Sequence, residues 1–226
     1  MTPVEPREMI YSYSLLNDYK ICRRRCFHKW IARDVPKEAP TPAMKMGTDF
    51  HEGMAQRLEK AEPLPVAFKQ YEPLAQEIEA ILAKDGHHWT FLVEQKMGIT
   101  EDGQPCDFFA DDVWFRGVAD VVLADGPCAW MGDWKTGNVW EDGAELRYHA
   151  MLLKAHMPEL QSIVGNYIWL KVNRVGVPYD LSDTKGTFND IYNIAHEMSQ
   201  ADMRVANPGP LCKYCPVTRQ QCMHKK

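Results

Sequence analysis

Two apolar runs, WFRGVADVVL at 114–123 and CAWMGDWK at 128–135, flank Ala124-Asp125-Gly126-Pro127. This arrangement predicts a β-hairpin, because Asp-Gly between apolar runs is a strong reversal signal. Upstream, apolar residues recur at helical spacing. Leu15, Leu16, Tyr19, Cys22, Cys26 and Trp30 predict a helix opened by Ser12 or Ser14 and running to about Asp34. A loop follows at 35–42, marked by three prolines. A second helix from about Ala43 carries Met46, Phe50, His51, Met54 and Leu58, and a third over 64–84 carries Phe68, Tyr71, Leu74, Ile78 and Ile81. Residues 89–99 read as a strand with a turn at Glu101-Asp102-Gly103, and the hairpin follows it. Downstream come a helix over 141–157, a strand pair at 162–172 and 175–181, and a last helix over 187–205. Alternating helices and strands predict one α/β domain with a mixed central sheet flanked by helices.

Charges sit inside the hairpin where a plain core strand would carry Val or Ile. Asp120 interrupts the first strand, and Asp133 and Lys135 interrupt the second. Either a two-residue Asp-Gly loop or the four-residue loop 124–127 sets Asp133 opposite Val118, with Asp120 as a diagonal neighbour about 7–8 Å away. Alternation brings Lys135 to the same face. Burying charge is costly unless it is paired or binds metal, so the three residues read as a site. Two carboxylates and an ammonium suit metal-assisted hydrolysis of a phosphodiester. The carboxylates hold Mg²⁺ or Mn²⁺, and the ammonium orients water or offsets charge in the transition state.

Composition narrows the setting. The 226 residues, 45% hydrophobic and 25% charged, fit one good-sized core, and the whole chain 1–226 reads as a single domain. No apolar run approaches a membrane span and the opening lacks the layout of a secretory signal, so a cytoplasmic protein without a membrane partner is expected. The net charge of −5 hides two basic ends. Lys20, Arg23, Arg24, Arg25, Lys29 and Arg33 cluster near the start without an acid among them, and 203–226 is basic too. Tyr11, Tyr13, Tyr19 and Trp30, in the same segment, read first as packing residues and second as base-stacking ones.

The seven cysteines are unevenly placed. Cys106 and Cys128 read as buried free thiols. Cys212-x-x-Cys215-(x)6-Cys222 has metal-ligand spacing but is one ligand short. His224 would complete a Cys₃His zinc site, and a remote cysteine would complete a Cys₄ iron–sulfur site.

Val118-Ala119-Asp120 followed by Gly132-Asp133-Trp134-Lys135-Thr136-Gly137 resembles the signature of the PD-(D/E)XK nucleases, in particular the RecB-like branch with its line GxxDxv … DyKTG. The resemblance implies a restriction-endonuclease-like core. It implies Asp120 and Asp133 as metal ligands, the Trp134 carbonyl completing the coordination, and Lys135 as catalytic. Gly47-Thr48-Asp49-Phe50-His51 resembles the family's G-x-x-x-H motif, which implies that His51 reaches the metal. Glu94 matches a glutamate often found just before the hairpin and is a further candidate ligand or base. Glu145 and His149 stand where the branch carries Gln and Tyr, and neither is assigned a role.

Ser12-x-Ser14-Leu15-x-x-x-Tyr19-x-x-Cys22 is similar to the opening of the CRISPR-associated and AddB-type exonucleases. In those proteins one N-terminal and three C-terminal cysteines surround a 4Fe–4S cluster. The likeness implies Cys22, Cys212, Cys215 and Cys222 as ligands, with Cys26 the other candidate for the first. Such a cluster would join the N-terminal helix (11–34) to the tail (206–226) around the core (43–205), merging Lys20, Arg23, Arg24 and Arg25 with the basic tail into a DNA-binding face. The implied function is a metal-dependent exonuclease on DNA ends, acting on single strands. Its setting would be recombination, phage DNA processing or CRISPR spacer acquisition, with recombination or CRISPR proteins as partners. The competing reading is an inactive iron–sulfur DNA-binding or scaffold protein, against which the intact Asp120, Asp133 and Lys135 count.

Overall fold

β-Branched and aromatic side chains gather in the middle third of the chain, and there the computed structural model forms its sheet. It describes residues 9–36, 39–83, 88–140 and 142–226. In chain order these form α1 (Tyr13–Ile21), α2 (Arg23–Cys26) with a π-turn (Phe27–Ile31), α3 (Pro42–Lys60), a 3₁₀ turn (Val66–Tyr71) and α4 (Glu72–Leu82). Then follow β1 (Thr90–Ile99), β2 (Pro105–Cys106), β3 (Phe115–Asp125), β4 (Cys128–Lys135), α5 (Ala144–His156) and β5 (Ser162–Trp169). The chain continues through β6 (Arg174–Val175), β7 (Tyr179–Asp180) and α6 (Thr184–Gln200). The strands order β2-β1-β3-β4-β5-β6, with β7 also on β5. Among the named strands of the described residues only β4 and β5 pair in parallel, joined through α5, so the sheet is mixed as expected. One face packs on α1, α5 and α6 through Leu16, Phe115, Ala119, Val122, Leu152 and Ile191. The other packs on α3 and α4 through Phe50, Met54, Ile78, Val121, Leu123 and Trp134.

Several expected elements differ in extent. The N-terminal helix is broken at Cys22, whose backbone is extended (φ −165°, ψ 116°). The physical reason is Asp18, which is buried and needs partners. The break folds the chain back so that Arg25 and Lys29 each reach it at 2.7 Å and Trp30 Nε1 donates to it at 2.8 Å. The helix expected over 64–84 is a 3₁₀ turn and a separate α4 restarting at Glu72. Pro73, in the first turn of α4, lacks the N–H that a continuous helix would use. Lys84, its expected end, lies outside the described residues. The strand pair at 162–172 and 175–181 shrinks to β5 with two-residue strands, because Asn173 turns left-handed and Pro178 cannot extend a ladder. The last helix begins earlier, where Asp183 Oδ1 accepts from Gly186 N at 2.9 Å, and ends at Gln200. Between residues 141 and 157, α5 starts only after Gly143, whose φ of 66° is not helical.

The hairpin forms, but its register differs from the expected one. Asp125 pairs with Cys128, leaving Gly126 and Pro127 as a two-residue loop. Gly126 takes φ +53° and proline keeps a negative φ, the sign pattern of a type II′ turn. The shift is two residues, so every side chain keeps its face, and the β3–β4 ladder runs on to Val121–Gly132.

β1 and β3 share a second irregularity. Their ladder pairs Val93 with Val121 and Gln95 with Ala119 but skips Glu94 and Asp120 between them. Glu94 has φ 46°, rare for a residue with a side chain. At this step the alternation changes phase in both strands. Phe115, Ala119, Val122 and Ala124 all face the α5 side, as do Leu92, Met97 and Ile99.

Candidate metal centre

The ladder between β3 and β4 stops at Gly132, and beyond it the strands part. There Trp134 N donates to the Asp120 carboxylate, at 2.8 Å, in place of a backbone carbonyl. Gly132 permits the close approach that precedes the gap. A Cβ on it would meet Trp130 Cη2 at 2.6 Å and Val121 Cγ1 at 2.8 Å. Into the gap α3 delivers His51, anchored one residue away by Phe50, which packs edge-on against Trp134, Phe68 and Tyr71. The first turns of α3 lie close above β4, where a Cβ on Gly47 would be 3.2 Å from Thr136 Oγ1.

His51, Glu94 and Asp120 converge, with one ligand atom from each within 4.8 Å of the others. His51 Nδ1 lies 3.2 Å from Glu94 Oε1 and 3.3 Å from Asp120 Oδ1. Its Nε2 lies 3.2 Å from the Trp134 carbonyl. Burial works against charge on this imidazole, but the hydrogen bonds to Asp120 and Glu94 outweigh it and push His51 up to about 10. Acceptors at both ring nitrogens favour the protonated ring, and a cation held in this oxygen-rich cage would take the place of that proton, because only a neutral imidazole ligates a metal.

Asp133 is nearly inaccessible and its Oδ2 has no hydrogen-bond donor. Lys135 Nζ stands 2.9 Å from that oxygen as an ion contact without hydrogen-bond alignment. Burial first, and then the charge of Asp120, push Asp133 well above the usual carboxylate range. Burial acts on Asp120 in the same sense, but His51 and the Trp134 N–H hold it below that range. Two crowded carboxylates, one with a buried oxygen that makes no aligned hydrogen bond, a histidine and the Trp134 carbonyl form a donor set that fits a hard divalent cation.

Lys135 is clamped. Glu145 Oε2 accepts from its Nζ at 2.5 Å, and the Tyr167 ring lies 5.4 Å from it. Burial disfavours its charge, but Asp133 and Glu145 reverse that and raise it above the ordinary lysine value. Sequence reasoning left Glu145 without a role, although its place on the inward face of the helix following the Lys135 strand was a usable signal. Tyr167 left no signal, since a tyrosine in a core strand reads as packing. His149 is buried against Gly117, where a Cβ would approach its ring to 2.8 Å, and burial lowers its pKa.

A model of the PD-(D/E)XK nuclease superfamily matches residues 10–222, nearly the whole chain. The chain belongs to the PD-(D/E)XK nuclease superfamily. Nucleases of this superfamily use divalent metals, and the His51–Glu94–Asp120 group is compatible with that chemistry. A comparison with curated proteins finds no match. A solved structure described as "Crystal structure of SSO0001" is similar over 96% of this chain and 85% of its own, at 16% identity and a TM-score of 0.37. No helix among the described residues is long and apolar enough to cross a membrane.

Away from the candidate metal centre of this PD-(D/E)XK chain, Cys22, Cys212, Cys215, Cys222 and His224 line one cavity of about 210 Å³. Asn207 N donates to Cys22 Sγ and Gly209 N to Cys212 Sγ, each at 3.3 Å. Cys26 is not among the lining residues; it is fully buried, and its thiol reaches the Leu15 carbonyl. The expectation of buried thiols at Cys106 and Cys128 is corrected, since Cys106 is half-buried and Cys128, beside the tight hairpin turn, is exposed. The basic segment is largely engaged within the molecule. Arg23 pairs with Glu197 at 2.8 Å, Arg24 Nε donates to the Gln221 carbonyl at 2.6 Å, and Arg25 pairs with Asp18. Lys20 Nζ donates to Tyr148 Oη at 3.1 Å. Tyr11 and Tyr19 are core residues, and Tyr13 and Trp30 pack against that core, so the packing reading holds for the segment.

Proposed function

We propose that this chain is a divalent-metal-dependent deoxyribonuclease that trims DNA ends as an exonuclease, acts on single strands, and carries a 4Fe–4S cluster on Cys22, Cys212, Cys215 and Cys222. The observation that carries the hydrolytic reading is the convergence of His51, Glu94 and Asp120 beside the orphaned oxygen of Asp133. Those four residues and the Trp134 carbonyl would hold Mg²⁺ or Mn²⁺. When bound, the ion supplies a water of lowered pKa and neutralises charge on the phosphoryl oxygens.

The protein groups do the rest. Lys135, fixed between Asp133 and Glu145, presents its ammonium to the charge that builds on the scissile phosphate. The clamp also limits the rotamers of a long side chain, so little ordering remains at the moment of reaction. In hydrolysis the water oxygen bonds to phosphorus, the bond to the departing sugar oxygen breaks, and that oxygen takes up a proton. Lys20 and Arg23, partly exposed beside the basic tail, would face phosphate, while Arg24 and Arg25 hold that side of the molecule in shape through the Gln221 carbonyl and Asp18.

What supports the cluster is that Cys22, Cys212, Cys215 and Cys222 line one cavity, the four thiolates such a group requires.

The test is incubation of end-labelled single- and double-stranded DNA with Mn²⁺ or Mg²⁺, beside Asp133→Ala and Lys135→Ala. Wild type is expected to shorten the labelled single strand, with each variant slower by about a hundred-fold or more. Equal degradation by all three would discard the mechanism. For the cluster, anaerobically purified protein should absorb near 400 nm. Cys22→Ser should lose the band and Cys26→Ser should keep it.

A further inference from the structure

Beyond the phase change at Glu94 and Asp120, the sheet has a face that α3 and α4 do not reach. Met97, Ile99, Phe115 and Ala119 point to the α5 side, so Lys96, Arg116 and Val118 point the other way, the side from which His51 enters. Lys96 pairs with Val118 and Gly98 with Arg116, which makes Lys96 and Arg116 diagonal neighbours. Arg116 is four residues along β3 from Asp120, about 13 Å at roughly 3.3 Å per residue. Lys96 is two residues from Glu94 on the next strand. A basic strip therefore leads directly away from the metal centre.

The strip ends at an aromatic surface contributed by the loop between β2 and β3. Phe109 is 73% exposed, an unusual position for a large apolar ring. It is nonetheless held. Phe108 packs edge-on against it at 4.9 Å, and the Arg116 guanidinium lies 4.6 Å from the Phe108 ring and 5.6 Å from Phe109. Lys96 Nζ stands 5.7 Å from the Phe109 centroid, and Arg116 Nη1 donates to the Phe108 carbonyl at 3.1 Å. Asp107, Asp111 and Asp112 are exposed in the same loop. Their charge offsets the two cations, so the site is not a general phosphate magnet. It offers a largely exposed aromatic ring with two cations close over it, which leaves the rest of the ring's surface to stack a base beside groups that steady its phosphate.

We propose that Phe109, backed by Phe108 and flanked by Lys96 and Arg116, stacks an unpaired base of the strand whose backbone enters the metal centre. The inference rests on the nuclease reading and assigns that reading its preference for single strands. A paired base has no free face to offer. A duplex would also bring a second phosphate backbone toward Asp107, Asp111 and Asp112.

The test is binding of a fluorescein-labelled fifteen-residue oligothymidylate and of a duplex of equal length, without added divalent ion, to wild type, Phe109→Ala, Phe109→Trp and Lys96→Ala. Phe109 is largely exposed, so its replacement leaves the fold intact, and a far-ultraviolet dichroism spectrum checks this. Phe109→Ala should weaken oligothymidylate binding by roughly five- to hundred-fold. Phe109→Trp should restore it, and the wild-type-to-Phe109→Ala ratio should hold steady as salt rises. Lys96→Ala should weaken binding less and flatten its salt dependence. Unchanged oligothymidylate affinity in Phe109→Ala, or an equal loss on the duplex, would overturn the proposal. Hydrolysis of a small chromogenic phosphodiester by wild type with Mn²⁺ is read separately. Its failure would remove the nuclease reading while leaving the binding comparison interpretable.

Discussion

Asp133 is buried and faces a second carboxylate, and its nearest cation, the Lys135 ammonium at 2.9 Å, is shared with Glu145 and makes no aligned hydrogen bond, an arrangement that costs stability unless a further cation enters. Asp133→Asn removes the charge while keeping the shape. It should raise metal-free stability by about 1 kcal/mol, read as a higher melting temperature, while abolishing cleavage. A lower melting temperature would show that the carboxylate is not strained. The thiols offer a second contrast. Burial pushes Cys26 up to about 12 from its ordinary 9.0. The folded state therefore holds a proton that the unfolded chain releases. The associated stability is complete below pH 9 and is lost as the pH climbs from 9 toward 12. At pH 8, iodoacetamide followed by peptide mass spectrometry should label exposed Cys128 in native protein and Cys26 only after unfolding.

Among the elements, β4 and α3 carry the centre, and each has one intolerant position. Gly132→Val would drive a side chain into Trp130 and Val121 and should cost about 1–3 kcal/mol in urea unfolding, with loss of metal binding. Arg57 ties α3 to α4 by bonds to Glu72 at 2.5 Å and Glu79 at 2.5 Å, with its own side chain largely buried. Arg57→Ala should cost about 1.5–3 kcal/mol and leave His51 less firmly placed. Much of this was legible in the sequence. The hairpin, the helix bearing His51 and the tail cysteines announce themselves through residue type and spacing. The true hairpin register did not, because a two-residue shift leaves every side chain on the same face and so leaves the pattern unchanged. The left-handed turn at Glu94 was equally hidden, since nothing marks a glutamate that adopts it. The break at Cys22 depends on a buried Asp18 finding partners eleven and twelve residues on, which no local periodicity records.

For the whole molecule, the two ends are sewn to one another and to the metal centre. Arg24 reaches the carbonyls of Gln221 and Arg204, and Gln221 Nε2 donates to the Asp34 carbonyl. From the same segment Tyr11 bridges to Phe115 on the strand of Asp120, and Lys20 bonds Tyr148 on the helix of Glu145. Arg24→Ala should therefore loosen residues 205–226, seen as faster trypsin cleavage within the tail, at a cost of about 1–3 kcal/mol. The phase change in β1 and β3 also predicts how the sheet breathes. Residues 90–93 and 121–124 lie between two helical covers, whereas over 95–99 and 115–119 the second cover is the loop between β2 and β3, which reaches Gly98 through Val113. Local opening is easier where fewer apolar contacts must part. Amide deuterium uptake should then divide each strand in two, slow on one side of Glu94 and Asp120 and fast on the other. The metal ligands would sit on the boundary between a rigid half-sheet and a yielding one, with the strand-binding face on the half able to adjust.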